Sequence, residues 1–207
     1  RLPPSRHLFG LVVRISSGGW FEFYELFMPG FIAVGLVKSG IYKFGGGSML
    51  DPHLFSSFLA SFFIGMLIST AAFSFVSDQS GRRAIFTWSM IVYSIAQLSI
   101  ALLSDPLLIN IARFIAGLAV GIQLINNDSY IAELLPRGIR GRYMTAAFIF
   151  ILTALPVSAF LAAALVPHVI FGIPGWRYVV AIGASSGLVV FFAQRGLPES
   201  PRWLEVH

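Results

Sequence analysis

Two acids, Glu22 and Glu25, stand inside the first long apolar run of the chain, in the segment GGWFEFYELFMPG from Gly18 to Gly30. Their i, i+3 spacing puts both carboxyls near one face of a helix. In a low dielectric, two anions that close tend to keep at least one proton between them. Pro29 has no N–H to give to the carbonyl of Glu25 four residues earlier, so the helix is opened beside the acid. Carboxyls held this way suit a proton or substrate site, provided the surrounding elements keep them out of water.

Three further constellations could do chemistry or gating. The loop Asp78-Gln79-Ser80-Gly81-Arg82-Arg83 separates two apolar runs that are each long enough to cross a bilayer. Gly81 permits a tight turn, Asp78 can accept backbone hydrogen bonds at a helix end, and Arg82 and Arg83 can hold phosphates or acids. A topogenic positive loop would account for the arginines alone, whereas a conformational latch also uses the acid and the glycine. From Arg113 to Arg142 the chain reads RFIAGLAVGIQLINNDSYIAELLPRGIRGR. Arg113, Gly117 and Gly121 recur at i, i+4 and i+8, a flat face that lets a neighbouring helix approach closely. Gln123, Asn126, Asn127 and Asp128 follow as a polar cluster inside the span. Polar groups in hydrocarbon need partners, so these four either glue helices together or face an aqueous cavity. Glu133, Pro136, Arg140 and Gly141 close the segment. Beyond the last apolar run, Leu197-Pro198-Glu199-Ser200-Pro201-Arg202-Trp203-Leu204 makes either a fixed corner or an interfacial anchor.

The elements that must position these groups are membrane helices. Of 207 residues, 57% are hydrophobic and 11% charged, and the mean hydropathy is +0.81, which leaves too little polar surface to solvate a globule. Apolar runs near the roughly 20 residues that span a bilayer predict six helices: Leu8 to Val37, Leu54 to Val76, Ala84 to Leu103, Leu107 to Leu135, Tyr143 to Val166 and Trp176 to Gln194. Between them, Lys38 to His53 is long and Gly-rich, Ser104-Asp105-Pro106 is a tight turn, and Pro167 to Gly175 reads as a Pro/Gly loop. Arg1, Arg6, Arg82, Arg83, Arg137, Arg140, Arg142, Arg195 and Arg202 fall on one side of the bilayer, and Lys38, Lys43 and Arg177 on the other. This asymmetry predicts a cell-membrane protein with both ends of the chain cytoplasmic.

The net charge of +5 is carried by short loops and not by a stripe, which disfavours nucleic acid as a partner. Cysteine is absent, so no thiol nucleophile or cysteine metal site exists. His7, His53, His168 and His207 all lie in loops or tails, which leaves no intramembrane Ser-His dyad and no helical metal pair. No P-loop is present. The chain reads as neither an enzyme nor an ATP motor, and no cofactor or metal is implied.

Four motifs in order carry a family resemblance: DQSGRR after the second run, RFIAGLAVG in the fourth, ELLPRGIRG after it and PESPRWL after the sixth. Together they resemble the major facilitator superfamily, in its branch of sugar porters and metabolite:proton symporters. The resemblance implies an all-α membrane fold in which residues 1–207 form the amino-terminal six-helix lobe of twelve helices, the carboxy-terminal lobe of the polypeptide being its missing partner. Tyr24-Glu25 resembles the Tyr-Asp element of proton-coupled sugar porters, whose helix-one acid pairs with the helix-four arginine, here Arg113. On that likeness Glu25, Arg113 and Glu22 are the proton-coupling candidates, although Glu25 with Arg113 could equally be a structural ion pair. Tyr24, Gln123, Asn126, Asn127 and Asp128 are the cavity candidates. Asp78, Gly81, Arg82, Arg83, Glu133, Arg140, Glu199 and Arg202 are the candidates for a cytoplasmic gate. The implied function is movement of a small polar solute, a sugar or a carboxylated metabolite, by proton symport with alternating access; a solute sensor of the same fold is the competing reading.

Overall fold

The computed structural model describes residues 6–45, 51–72, 82–135, 138–186, 188, 189 and 192; at 6–8, 82–84, 86 and 125–134 it describes the backbone alone. Helix α1, Arg6–Lys38, runs 33 residues and passes through Pro29 without ending. Helix α2 is Phe55–Ala72, α3 is Arg82–Leu102 and α4 is Pro106–Leu134. The expected tight turn before α4 is a helix cap: the Leu108 N–H donates to Asp105 Oδ1 at 3.0 Å. Pro106 then occupies the first helical position, where a missing N–H costs nothing.

The fifth apolar run is not one helix. Helix α5, Arg140–Leu152, and α6, Ala154–Leu165, meet at Thr153. Pro156 has no N–H for the carbonyl of Leu152, and the Thr153 hydroxyl donates back to the Phe150 carbonyl at 2.6 Å. The segment Pro167 to Gly175, read from sequence as a loop, holds a small antiparallel hairpin. Strand β1, Val169–Ile170, pairs with β2, Ile173–Pro174, in the register Val169 to Pro174 and Ile170 to Ile173. Its two turn residues, Phe171 and Gly172, both have positive φ, 51° and 78°, as a two-residue hairpin turn matched to strand twist requires. Helix α7, Gly175–Ala184, follows.

Helix α4 packs on α2 and α3, while α1 packs on α4, α5, α6 and α7. The largest buried cluster joins Tyr24, Met28, Ile32 and Leu36 of α1 to Phe58 of α2 and to Trp176, Val179 and Val180 of α7. Large apolar side chains such as Leu67, Trp88, Leu102 and Phe160 stand exposed on the outside, the arrangement expected where lipid is the solvent. Among the described residues four helical segments are long and apolar enough to cross a bilayer: Phe9–Lys38, Phe55–Ala72, Pro106–Leu124 and Arg140–Leu165; Thr87–Leu102 is a shorter apolar helix. The last expected span is described as regular helix only over Gly175–Ala184, so six full spans lie outside what the described residues establish.

Candidate functional site

The polar centre of the molecule is built from α1, α3 and α4. Glu25 on α1 is fully buried and Arg113 on α4 is 1% exposed; Arg113 Nη1 is paired with Glu25 Oε1. The guanidinium lies over two rings of α2, 4.4 Å from the centroid of Phe58 and 4.5 Å from that of Phe62. Rings placed there add cation–π attraction and exclude water.

The second carboxylate oxygen belongs to α3. The Tyr93 hydroxyl donates to Glu25 Oε2 at 3.0 Å, and the Gln97 amide Nε2 donates to the same oxygen. Gln97 Nε2 also reaches the Tyr93 hydroxyl at 3.3 Å. A buried carboxylate is tolerable only when it is charge-matched and hydrogen bonded: α4 supplies the counter-ion at Oε1 and α3 the two donors at Oε2. The arrangement can hold a negative charge in a dry interior, and it can exchange that charge for a proton.

Neither Tyr93 nor Gln97 was singled out from the sequence. The signal was there: Ser89, Tyr93 and Gln97 recur at i, i+4 and i+8 along α3, and all three are buried. Ser89 continues the line, because Gln123 Nε2 of α4 donates to Ser89 Oγ at 2.6 Å.

Other candidates fall into place unevenly. Glu22 is 4% exposed and near enough to Tyr93 to act on it electrostatically, so both acids of the first helix do face the same interior. Tyr24 was expected at a substrate cavity. Its hydroxyl instead donates to the Val179 carbonyl of α7 at 2.7 Å, and the side chain is fully buried. Gln123, also a cavity candidate, lies between α3 and α4 with 1% exposure. In this structure both side chains make helix-to-helix contacts. Arg140 Nη2 donates to the Leu135 carbonyl at 3.1 Å, tying the start of α5 to the end of α4. Asn126, Asn127, Asp128 and Glu133 on α4 and Arg82 and Arg83 on α3 are described in backbone only; Asp78, Gly81, Glu199 and Arg202 lie outside the described residues. Among the described residues no group of acids and histidines is clustered to hold a metal.

The family model described as "Sugar (and other) transporter" matches residues 15–207. The chain belongs to this transporter family. It is 29% identical over 205 residues to the arabinose-proton symporter of Bacillus subtilis (strain 168), a match that covers 96% of this chain and 42% of the relative. With the niacin transporter NiaP of Acinetobacter baylyi it shares 27% identity over 203 residues, covering 98% of this chain and 43% of that one. In structure it resembles the partially occluded inward-open xylose transporter XylE of E. coli, with a TM-score of 0.80 at 21% identity over 96% of this chain and 52% of that chain. The chain thus spans less than half the length of these curated relatives. In fold it is a multi-pass, all-helical membrane protein of the major facilitator superfamily, corresponding to the amino-terminal lobe of a sugar porter.

Proposed function

We propose that the protein containing this lobe moves a small polar solute, a sugar or a carboxylated metabolite, by proton symport with alternating access, and that Glu25 exchanges the proton. The observation that carries the reading is the buried pair of Glu25 with Arg113, sealed by the rings of Phe58 and Phe62. Its likeness to an arabinose-proton symporter supports a sugar and a proton as the two substrates. A proton on Glu25 removes the charge that holds Arg113, and loss of that attraction gives the lobe a second arrangement to adopt. Glu22 is the neighbouring acid through which the proton would pass.

On the same reading the lobe has six spans with both ends cytoplasmic, and it rocks against a carboxy-terminal lobe of the same polypeptide around a site near the middle of the bilayer. Asn126, Asn127 and Asp128 face the cavity or the cytoplasmic half of the path. Asp78, Gly81, Arg82, Arg83, Glu133 and Arg140 form a cytoplasmic gate of charge pairs that break as the lobes rock, with Glu199 and Arg202 contacting the partner lobe.

The test is uptake by the full-length protein in proteoliposomes under an imposed inward proton gradient, over a panel of sugars and carboxylated metabolites. Accumulation that a protonophore abolishes is the expected result. Glu25→Gln should lose gradient-driven accumulation and keep counterflow exchange. Saturable binding without accumulation would instead make the protein a sensor, and wild-type pH dependence in Glu25→Gln would remove Glu25 from the coupling step.

A further inference from the structure

Gln97 touches the buried acid with one end of its amide only. It is fully buried, it donates from Nε2 to Glu25 Oε2, and its carbonyl oxygen Oε1 has no hydrogen-bond partner among the described residues. Leaving a buried acceptor unfilled is destabilising. An unfilled acceptor one bond from a proton-exchanging acid is explained if the acid fills it in another state.

The chemistry of Glu25 supplies that state. As a carboxylate it only accepts: Arg113 is its ion-pair partner, and Tyr93 and Gln97 donate to Oε2. Once protonated on Oε2 it carries a hydroxyl that must find an acceptor in the same dry space. Arg113 has five N–H donors and no acceptor, and Arg113 Nε is itself without a hydrogen-bond partner among the described residues. The Tyr93 hydroxyl already lies 3.3 Å from Gln97 Nε2, which donates to it. Gln97 Oε1 is the spare acceptor, and a half-turn about the last side-chain torsion, which is broad and soft for an amide, brings it to where Nε2 now lies.

We propose that Gln97 is a positioning residue that serves Glu25 in both protonation states, donating to the carboxylate and, after its amide turns over, accepting from the carboxylic acid. The step forms one O–H bond, between a proton from solution and Glu25 Oε2, and breaks none in the protein. The inference rests on the reading of Glu25 as the proton-exchanging acid. Among the described residues the charged and titratable groups around it are few. Arg113 comes from α4, Tyr93 from α3, and Glu22 and Tyr24 from α1 itself. Helix α2 presents the rings of Phe58 and Phe62, and α6 has no ionisable residue. Arg140, Arg142 and Tyr143 of α5 lie in its first turn, where Tyr143 packs against Leu11 and Val12 at the far end of α1. On α7, Arg177 is held by the Ala101 carbonyl and Ser104, and Tyr178 by the Ile170 carbonyl.

The experiment compares the wild-type full-length protein with Gln97→Leu, Tyr93→Phe and Glu25→Gln, reading the pH midpoint of proton-driven uptake and the infrared difference spectrum between neutral and acidic pH. A hydrogen bond to a charged group outweighs one to its neutral form, so Gln97→Leu should move the midpoint upward by up to about one pH unit. In the wild type, a glutamine carbonyl band should fall in frequency on acidification as Oε1 gains a donor. That band should be missing in Gln97→Leu and insensitive to pH in Glu25→Gln. An unchanged midpoint, or uptake lowered equally at every pH, would overturn the proposal and leave Gln97 structural. A wild-type spectrum without the shifting band would do the same, and needs no variant to fold. Should Glu25→Gln keep the wild-type pH dependence, the reading of Glu25 itself fails; should it abolish coupling while Gln97→Leu shifts nothing, only the role of Gln97 falls.

Discussion

Helix α4 meets its neighbours in two physically different ways along one length. Toward α2, around Gly117 and Gly121, shape decides: a Cβ added to Gly117 would run into the Phe62 carbonyl, one on Gly121 into Ser69 Oγ and Met66, and one on Gly65 of α2 into the Phe114 carbonyl. Backbones in such contact gain dispersion and leave nothing to titrate. Toward α1 and α3 the same helix offers Arg113, and the contact is held by charge and hydrogen bonds around Glu25. The first interface has one good packing arrangement. The second rests on charge, so its strength would change if Glu25 took up a proton.

Breaking the charged interface should give the largest effect. Arg113→Gln leaves a buried carboxylate without its counter-ion, a loss on the order of 3–5 kcal/mol. Thermal unfolding in detergent should show it, and the double variant with Glu25→Gln should recover much of the loss. The sign with pH follows from the same chemistry: a protonated Glu25 needs no counter-ion, so the Arg113→Gln defect should shrink as pH falls. A double variant no more stable than the single one would mean that the carboxylate is not desolvated.

The glycine interface should break differently. Gly117→Ala forces the Phe62 carbonyl away and should cost roughly 1–3 kcal/mol, with no dependence on pH between neutral and acid. A pH-dependent defect there would show the two interfaces to be coupled, and so would sharpen the distinction into a shared switch.

A smaller effect is expected at the opposite end of α4. Asn110 accepts from the Tyr42 hydroxyl at 2.8 Å and donates to Ser57 Oγ at 2.9 Å and the Pro52 carbonyl at 3.2 Å, pinning the loop after α1 to the start of α4. Asn110→Ala should lose about 1–2 kcal/mol, read as a lower unfolding temperature. Burial first, and the negative Asp105 second, push the Tyr42 phenol up. The folded phenol therefore stays protonated where the unfolded one ionises. Its contribution is intact below about pH 10 and lost progressively above it, a loss that Tyr42→Phe should abolish.

The smallest change should come from Trp20→Phe. It removes the 2.9 Å bond from Trp20 Nε1 to Thr153 Oγ1 across the α5–α6 break, for roughly 0.5–1.5 kcal/mol. Because that bond bridges α1 to a helix break and not to the charge cluster, the pH midpoint of uptake should stay unchanged. A shifted midpoint would place the break in the switching unit.

Much of this was legible without coordinates because lipid is a demanding solvent. Hydrocarbon forces backbone groups into helices, so apolar length alone located the helical segments from Phe9 to Leu165. Ser-Asp-Pro at 104–106 was legible as a turn, and the structure makes it the cap of α4; the spacing of Arg113, Gly117 and Gly121 foretold a close neighbour. The break at Thr153 was hidden: Pro156 is visible, but α5 and α6 together make one apolar run of ordinary spanning length, so hydropathy passes over it.

The sequence by itself determined the solvent and the helical class, and its likeness to proton-coupled sugar porters named Glu25 and Arg113 as the pair able to hold charge there. Only the tertiary structure decided which other groups complete that pair. Tyr93 and Gln97 lie on α3, about 70 residues along the chain from Glu25, and nothing in local periodicity says which face of α3 turns inward. Tyr24 shows the same limit: adjacent to Glu25, it faces α7 instead, because neighbouring residues on a helix point about 100° apart and the packing of distant helices chooses what each one meets.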